Sequence, residues 1–502
     1  MTQQPSQSSR AKVRRWHTEL AWLPGVGVLP DVLIEAAGDR FTKITPRRPA
    51  SGLPAGTVRL GGLTMPALAN AHSHAFHRAL RGITQTGRGT FWTWRERMYQ
   101  VAARLDPDSY LALARAVYAE MALAGISCVG EFHYLHHGPG GTPYADPNEM
   151  SRALIEAASQ AGLRITLLDT CYLSGGLDPA GGSEPLAGPQ LRFGDRSAQA
   201  WAKRVSALGA DSRGALGTGA RVGAAIHSVR AVSPEQMPTV VAWSHACGAP
   251  LHVHLSEQVA ENDASLAAYR CTPAAVLYDA GVLGPRTSVV HATHLTSADI
   301  RLLGGSEVFA CVCPTTEADL ADGIGPFSAL AAAGCRLTVG SDSQAVIDIF
   351  EEARRIEMYE RLASRERGHF TAEALGTAMT WDGHASLGWP EAGEIAPGSL
   401  ADLITLRLDS PRLAGIADLV SGDATRAAAG PASGAADDPG ADGVRGHGEP
   451  DLGVLEAVIF AAAPPDVHNV VIGGRDVVIE GKHQLVPDVS RAIAAALRGV
   501  LG

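Results

Sequence analysis

The chain has 502 residues and a formal net charge of −10, with 46% hydrophobic and 19% charged residues. The negative charge and the lack of a basic stripe exclude a typical nucleic-acid-binding protein, and no apolar stretch reaches the about 20 residues of a membrane span. The seven cysteines are dispersed without a Cys-x-x-Cys pair. This pattern predicts reduced thiols, and hence a cytoplasmic protein. The charge and the short apolar stretches predict that neither nucleic acid nor a membrane is a partner.

Residues 1–12 are polar and are predicted to form a disordered tail, followed by short strands over residues 13–64. Eight short apolar runs then alternate with good helix formers. The runs are Leu63–Asn70, Ile126–Glu131, Arg164–Cys171, Val222–His227, Pro250–Leu255, Ser288–His291, Val308–Cys313 and Arg336–Gly340. None alternates strictly between apolar and polar residues, which is typical of parallel strands buried on both faces. We therefore predict an α/β fold with a (β/α)8 TIM barrel over residues 65–388.

The last part of the chain, residues 389–502, returns to a pattern of strands and turns, including a hairpin over Asn469–Gly481. Residues 421–453 are rich in Ala, Gly, Pro and Asp and are predicted to be a disordered insertion. We expect the strands of this region to join those of residues 13–64 in a small β-sandwich beside the barrel.

Metal-binding residue types follow several of the predicted strands. His72 and His74 are two residues apart at the end of the first run, so that both side chains point to the same side of a strand. Active sites of such barrels lie at the carboxyl ends of the strands. The residues found there form the ligand and acid–base set of a catalytic zinc centre with an open position: His72, His74, His254, Glu257, His291 and Asp342.

Two alternatives accompany this metal site. His252 would point to the same side of its strand as His254 and is a rival ligand, although the spacing to Glu257 favours His254. Cys311 and Cys313 can also bind metal, but two cysteines on a buried strand are more typical of the core. The same ligand set can hold iron or manganese in place of zinc.

Several stretches resemble the amidohydrolase superfamily, in its metal-dependent deaminase branch, and more closely the formimidoylglutamate deiminase family. The superfamily features are three: the pair His72 and His74, the pair His254 and Glu257, and Asp342 near the end of the barrel region. The narrower resemblance lies in three stretches, Phe91–Arg95, Glu131–His137 and His227–Val232. It covers residues 16–408 and resumes at the C-terminal hairpin.

The resemblance implies hydrolysis of N-formimidoyl-L-glutamate to N-formyl-L-glutamate and ammonia in histidine degradation, by a homodimer with one zinc ion per subunit. His72, His74, His254 and Asp342 would hold the metal, which lowers the pKa of bound water from about 15.7 to about 7. Asp342 would also accept the proton of the water, His291 would hydrogen-bond the nucleophile, and Glu257 would carry a proton to the leaving nitrogen.

The implied substrate carries two carboxylates, and Arg95 and Arg230 are the candidate partners because arginine binds carboxylates with a rigid fork. By resemblance, Tyr134 and His227 also contact the substrate. The family commonly has Gln at the position of His77, where it contacts the substrate. A histidine there has a different reach and a pH-dependent charge. His133, His136, His137 and His294 are interpreted as structural residues.

Two other functions remain open. A related zinc deaminase would act on another amidine or guanidine acid, or on a nucleobase; the two arginines favour an acidic substrate. A non-catalytic scaffold would have lost metal ligands or the acid–base residue, and this chain retains all six.

Overall fold

The computed structural model describes residues 13–178, 182–212, 218–416 and 453–502. The predicted N-terminal tail and the predicted insertion, except for Gly453, lie outside the described residues. Four strands open the chain: β1 (Val13–Leu23), β2 (Gly27–Ala37), β3 (Arg40–Thr45) and β4 (Val58–Pro66).

Eight parallel strands then form a nearly closed barrel, which confirms the predicted fold class. They pair in chain order as β5 (Leu68–Ser73), β6 (Ile126–His133), β7 (Arg164–Cys171), β10 (Ala220–Ile226), β11 (Leu251–Leu255), β12 (Thr287–His291), β13 (Phe309–Val312) and β14 (Arg336–Val339). The small hairpin of β8 (Gly176–Leu177) and β9 (Ser183–Glu184) lies between the third and fourth of them. A bridge between Ser73 and Asp342 joins the first strand to the end of the last.

The accessory sheet is completed by the C-terminal strands β15 (Leu403–Leu406), β16 (Val467–Ile472), β17 (Arg475–Ile479) and β18 (Lys482–His483). It is a single eight-stranded sheet in the order β18-β17-β16-β15-β4-β1-β2-β3. The predicted pairing of the two ends of the chain is therefore confirmed. A buried ion pair ties this sheet to the barrel, since Arg164 Nε lies 2.9 Å from Asp402 Oδ2.

One predicted strand belongs to two elements. The run Leu63–Asn70 was predicted as the first barrel strand, but Leu63–Pro66 is the end of β4 and Leu68 begins β5. At Ala67 the chain leaves the accessory sheet, with its N–H donating to Asp402 O. The prediction of one strand was wrong because both halves are buried, so apolar periodicity does not mark the crossing.

Helices surround the barrel and cover its ends. They are α1 (Phe91–Arg104), α2 (Pro107–Leu123), α3 (Glu149–Ala161), α4 (Ala198–Ser212), α5 (Met237–Cys247), α6 (Val259–Tyr269), α7 (Pro273–Asp279), α8 (Ser297–Gly305), α9 (Pro314–Asp319), α10 (Phe327–Ala332), α11 (Ile349–Ser364), α12 (Ala372–Met379), α13 (Trp381–Ser386), α14 (Val454–Ala461) and α15 (Val489–Leu501). In the described ranges, no helix combines the length and hydropathy needed to cross a membrane.

The helix α1 is the element that brings the Phe91–Arg95 stretch over the barrel. Thr90 caps its N-terminus, because the Thr90 side chain accepts a hydrogen bond from Thr93 N in the first turn of the helix. Phe91, Trp94 and Arg95 all line the cavity at the carboxyl ends of the barrel strands. The helix therefore forms one wall of the site.

Candidate active site

The four predicted metal ligands converge at the carboxyl ends of their strands. His72 Nε2 lies 3.2 Å from His254 Nε2 and 3.4 Å from Asp342 Oδ1, and His74 Nε2 lies 3.4 Å from the same oxygen. All four side chains are buried. Four ligand atoms thus face one point although they come from three different strand ends.

The closure of the barrel sets this geometry. Asp342 N donates to His72 O at 3.0 Å, and His74 N donates to Asp342 O at 3.2 Å. Asp342 has a φ of 39°, a conformation that is costly outside glycine and is found at functional sites. Gly340 allows the approach, because a Cβ there would lie 2.7 Å from the Cβ of His72.

Backbone carbonyls orient two of the imidazoles. His74 Nδ1 lies 2.9 Å from Phe132 O, and His254 Nδ1 lies 3.0 Å from His227 O. Each Nδ1–H donates to its carbonyl, which leaves the Nε2 lone pair facing the centre. Burial lowers the pKa of both histidines well below the usual value, so both are in the neutral form that binds metal.

These residues fit a divalent metal ion. Tetrahedral bonds of about 2.0–2.1 Å to nitrogen and oxygen place ligand atoms about 3.3 Å apart, close to the observed separations. The Nε2 atoms of His72 and His254 face each other at 3.2 Å, which places two potential metal ligands side by side. The rival His252 is directed elsewhere, with its Nε2 3.2 Å from Ser386 O.

The predicted acid–base residues lie beside this cluster. His291 Nε2 is 3.9 Å from both Glu257 Oε1 and Asp342 Oδ2, and His291 Nδ1 is 3.5 Å from Glu317 Oε1. Burial raises the pKa of Glu257. Burial opposes the charging of His291, but the carboxylates of Glu257, Asp342 and Glu317 outweigh it and raise its pKa well above the usual value. His291 thus lies among three carboxylates beside the metal-ligand cluster.

All five predicted substrate-binding residues line one cavity with the cluster. They are His77, Arg95, Tyr134, His227 and Arg230. Aromatic side chains of Phe91, Trp94, Tyr99, Tyr172 and Phe193 form much of the remaining wall. The cavity therefore combines a polar floor, an aromatic wall and two guanidinium groups.

The two arginines differ in their surroundings. The guanidinium of Arg95 lies over the ring of Trp92, 4.4 Å from its centroid. Arg230 Nε lies 3.2 Å from Glu261 Oε2, a partner that the sequence did not indicate. Both arginines also line a second, adjoining cavity toward Gly176 and Gln258.

His77 is held within the cavity wall. Its Nε2 lies 3.0 Å from Tyr134 Oη, and its ring contacts Trp94 edge-on at 5.0 Å between centroids. Burial lowers the pKa of His77 to about 3. The expected pH-dependent charge is therefore absent near neutral pH, and His77 acts as a neutral hydrogen-bonding group.

The histidines interpreted as structural, His133, His136, His137 and His294, are not among the residues that line the cavity. His136 Nε2 donates a hydrogen bond to Thr170 O at 2.9 Å. His136 Nε2 lies 3.9 Å from Asp169 Oδ1, and His137 Nε2 lies 3.8 Å from Asp195 Oδ1. Both carboxylates pair with the buried Arg204. No metal-binding group of the described residues includes these histidines.

Three functional candidates were missed in the sequence. Glu317 and Glu261 contact His291 and Arg230, and Glu131 accepts hydrogen bonds from Ser73 Oγ at 2.8 Å and Ala75 N at 2.7 Å. Each is a buried acidic residue at or just after the carboxyl end of a barrel strand. The rule that identified Glu257 and Asp342 would have found them as well. Cys313 also lies within ligand distance of His291 and Asp342, in a buried group that the sequence assigned to the core.

The amidohydrolase family model matches residues 63–477, which include the whole barrel and, in the accessory sheet, the end of β4, all of β15 and β16 and the first residues of β17. The chain belongs to the amidohydrolase family. This amidohydrolase is therefore a hydrolase of carbon–nitrogen bonds, as the sequence predicted.

Comparison with individual proteins shows which amidohydrolases this chain is similar to. The amidohydrolase is 35% identical over 456 residues to the formimidoylglutamate deiminase of Pseudomonas aeruginosa, covering 89% of this chain and 91% of the relative. It is 30% identical over 370 residues to an 8-oxoguanine deaminase of the same organism, covering 72% and 77% of the two chains. The crystal structure of an amidohydrolase from Brucella melitensis is 31% identical, with a TM-score of 0.83 and coverage of 97% and 100%. The predicted resemblance is thus confirmed.

Proposed function

We propose that this amidohydrolase is a zinc-dependent formimidoylglutamate deiminase that converts N-formimidoyl-L-glutamate and water to N-formyl-L-glutamate and ammonia in histidine degradation. The observation that carries the proposal is one cavity lined both by three of the four metal ligands, His74, His254 and Asp342, and by Arg95 and Arg230. A substrate with a reactive amidine and two carboxylates matches these two features. The 35% identity to a formimidoylglutamate deiminase along 91% of its length supports the same substrate.

His72, His74, His254 and Asp342 would hold the zinc ion, which when bound supplies a nucleophilic water at neutral pH. The second oxygen of Asp342, which faces His291, accepts a proton from that water. Attack on the formimidoyl carbon forms a carbon–oxygen bond and makes this carbon tetrahedral. His291 donates a hydrogen bond to the new oxygen substituent.

Glu257 delivers a proton to the imino nitrogen, because it is buried beside His291 and lines the cavity. The same nitrogen also takes the proton that Asp342 accepted, so that it leaves as ammonia with the electron pair of the broken carbon–nitrogen bond. A lone pair of the new oxygen then forms the carbonyl bond, and the proton of this oxygen passes to Glu257. The remaining amide of the product keeps the nitrogen of the glutamate. Water that re-enters the cavity restores the starting state.

Arg95 and Arg230 bind the two carboxylates, since a guanidinium offers parallel N–H donors that match a carboxylate. Tyr134, His227 and His77 complete the contacts from the polar side of the cavity. The aromatic wall excludes water from the reacting carbon, which strengthens these electrostatic contacts.

We further propose a cytoplasmic homodimer with one zinc ion per subunit. The family resemblance supports this assembly, and all seven cysteines are free. Metal analysis of the purified protein and light scattering test the stoichiometry and the assembly.

The deciding experiment is ammonia release from N-formimidoyl-L-glutamate by zinc-loaded protein, with a chelated sample as control. Zinc-dependent release is expected. Fully loaded protein that releases no ammonia would reject this substrate.

Deamination of a nucleobase is the second candidate, since the chain is 30% identical to an 8-oxoguanine deaminase. A neutral base offers no carboxylate to the guanidinium groups of Arg95 and Arg230. The same ammonia assay with 8-oxoguanine distinguishes the two substrates.

A further inference from the structure

We infer that Glu261 is a positioning residue: one of its oxygens directs Arg230 toward the substrate carboxylate, and the other holds the turn that carries Glu257. This inference rests on the proposed function for the identity of the substrate. It assigns a role to a residue that neither contacts the reacting carbon nor belongs to the metal-ligand cluster.

The contacts of Glu261 divide between its two oxygens. Oε2 lies 3.2 Å from Arg230 Nε, and Oε1 accepts the N–H of Ser256 at 3.3 Å. Glu261 is 2% exposed, and it lies in the first turn of α6, where its own N–H donates to Gln258 O. A carboxylate this deeply buried needs such partners, because an unpaired charge there would be strongly unfavourable.

The contact with Arg230 decides which edge of the guanidinium faces the substrate. Glu261 Oε2 forms an ion pair at the Nε side of the guanidinium, without the geometry of a hydrogen bond. Among the described residues, no side chain forms a hydrogen bond with the Nη atoms of Arg230. Arg230 lines both the reaction cavity and the adjoining one, in which Glu261 lies. The Nη edge is therefore the one that remains for a carboxylate in the reaction cavity.

The contact with Ser256 concerns the acid–base residue. Ser256 lies between His254 and Glu257 and has a φ of 50°, in the left-handed region that is unfavourable for serine. Its N–H is satisfied by Glu261, which stabilises this turn. One buried carboxylate thus joins the substrate anchor to the turn that places the proton donor.

A merely structural role would be the neutralisation of a buried arginine. Without Glu261, the other carboxylate near Arg230 is Glu257, whose charge also stabilises the cationic guanidinium. An arginine that turns toward Glu257 would no longer face the substrate carboxylate. A positioning role therefore predicts loss of substrate affinity, whereas a structural role predicts loss of folded protein alone.

A double-mutant cycle of Glu261→Gln and Arg230→Met separates these roles, because coupled residues give non-additive effects. Glutamine retains the acceptor for Ser256 N–H and removes the charge beside Arg230. We expect Glu261→Gln to lower kcat/KM at least about ten-fold, chiefly through KM, in the parent protein, and less than about two-fold in the Arg230→Met background. Glu261→Ala should lower kcat as well, because it also releases Ser256.

Glutarate binding, measured by calorimetry on the zinc-loaded protein, provides a readout that does not need turnover. Glu261→Gln should weaken glutarate binding by a similar factor, and Asp263→Asn, an exposed carboxylate on the same helix, should not. Equal losses of kcat/KM in both backgrounds, or unchanged glutarate affinity in folded Glu261→Gln, would overturn the inference. If Glu261→Gln does not fold, Glu261→Asp is judged by the same criteria. Absence of ammonia release by the parent protein would instead reject the substrate.

Discussion

The Nε2 atoms of His72 and His254 face each other at 3.2 Å in a buried site, while the Nδ1 atom of His254 is engaged by His227 O. The carbonyl fixes the proton of His254 on Nδ1, so that its Nε2 lone pair faces His72 and is available to a metal ion. The pair is therefore the most direct structural sign of the metal centre.

Removal of a ligand should remove the metal. His254→Ala is expected to weaken zinc binding by more than about 100-fold, since loss of residues that merely support ligands already costs about 10–100-fold. Elemental analysis after dialysis measures the retained zinc. His252→Gln is the matched control, because His252 bonds to Ser386 O and should keep a full complement. Retention of zinc by His254→Ala with loss in the His252 variant would reverse the assignment.

Loss of the proton donor should leave the metal in place. Glu257→Gln removes the ionisable group but preserves its shape, so we expect kcat to fall by about 10²–10⁴-fold with unchanged zinc content. Steady-state ammonia release provides the measurement. A wild-type rate would remove Glu257 from the mechanism.

Loss of one carboxylate anchor should act on substrate affinity. A hydrogen bond to a charged group contributes about 1.5–3 kcal/mol, so Arg230→Met should raise KM about 10–150-fold while zinc content stays constant. Arg221→Met is the control, because Arg221 pairs with Glu391 and stacks on Trp389 away from the cavity. An unchanged KM in Arg230→Met would contradict the carboxylate contact.

The position of His77 can be tested from both directions. His77→Gln preserves a neutral hydrogen-bonding group next to Tyr134, so we expect kcat/KM to stay within about three-fold of the parent value. His77→Leu has a similar size but no polar atom, and should lower kcat/KM about ten-fold through loss of a buried hydrogen bond. Steady-state measurement of kcat/KM for both variants tests whether His77 contacts the substrate. Equal activity of both would show that His77 does not contact the substrate.

A stability prediction concerns the network behind the site. Asp169 is fully buried, and Arg204 Nη2 lies 2.8 Å from its Oδ1. Burial opposes ionisation of Asp169, but Arg204 and His136 outweigh this effect and hold its pKa below the usual range. The stabilisation is therefore present above the ordinary aspartate pKa of about 3.9 and is lost as the pH falls below it.

Asp169→Asn should accordingly lower the free energy of unfolding by about 3–5 kcal/mol at pH 7, because it leaves a buried guanidinium without its main partner. As the pH falls below about 4, the free energy of unfolding should also decrease less in the variant than in the parent protein. Denaturant melts at neutral and acidic pH measure both effects. Asp146→Asn, in a half-exposed pair with Arg152, should change stability by less than about 1 kcal/mol.

Much of the site follows from local sequence. Parallel strands buried on both faces read as short apolar runs, and their carboxyl ends must meet at one end of a barrel. Histidines and carboxylates directly after such runs, like His72 and Asp342, are therefore brought together whatever the details of the loops. Sequence spacing was sufficient to predict the barrel, to select the candidate ligands and to predict an accessory sheet built from both ends of the chain.

The tertiary structure alone decided the partners of these residues. Phe132 O and His227 O orient His74 and His254, yet a backbone carbonyl leaves no mark on residue type. The pairing of Arg230 with Glu261 depends on where α6 packs, and the crossing at Ala67 depends on which sheet buries each half of one apolar run. Residue types and their spacing determine which groups reach the site, because strand geometry is regular. Their orientation, tautomer and charge are set by neighbours distant in sequence, because those depend on packing between elements.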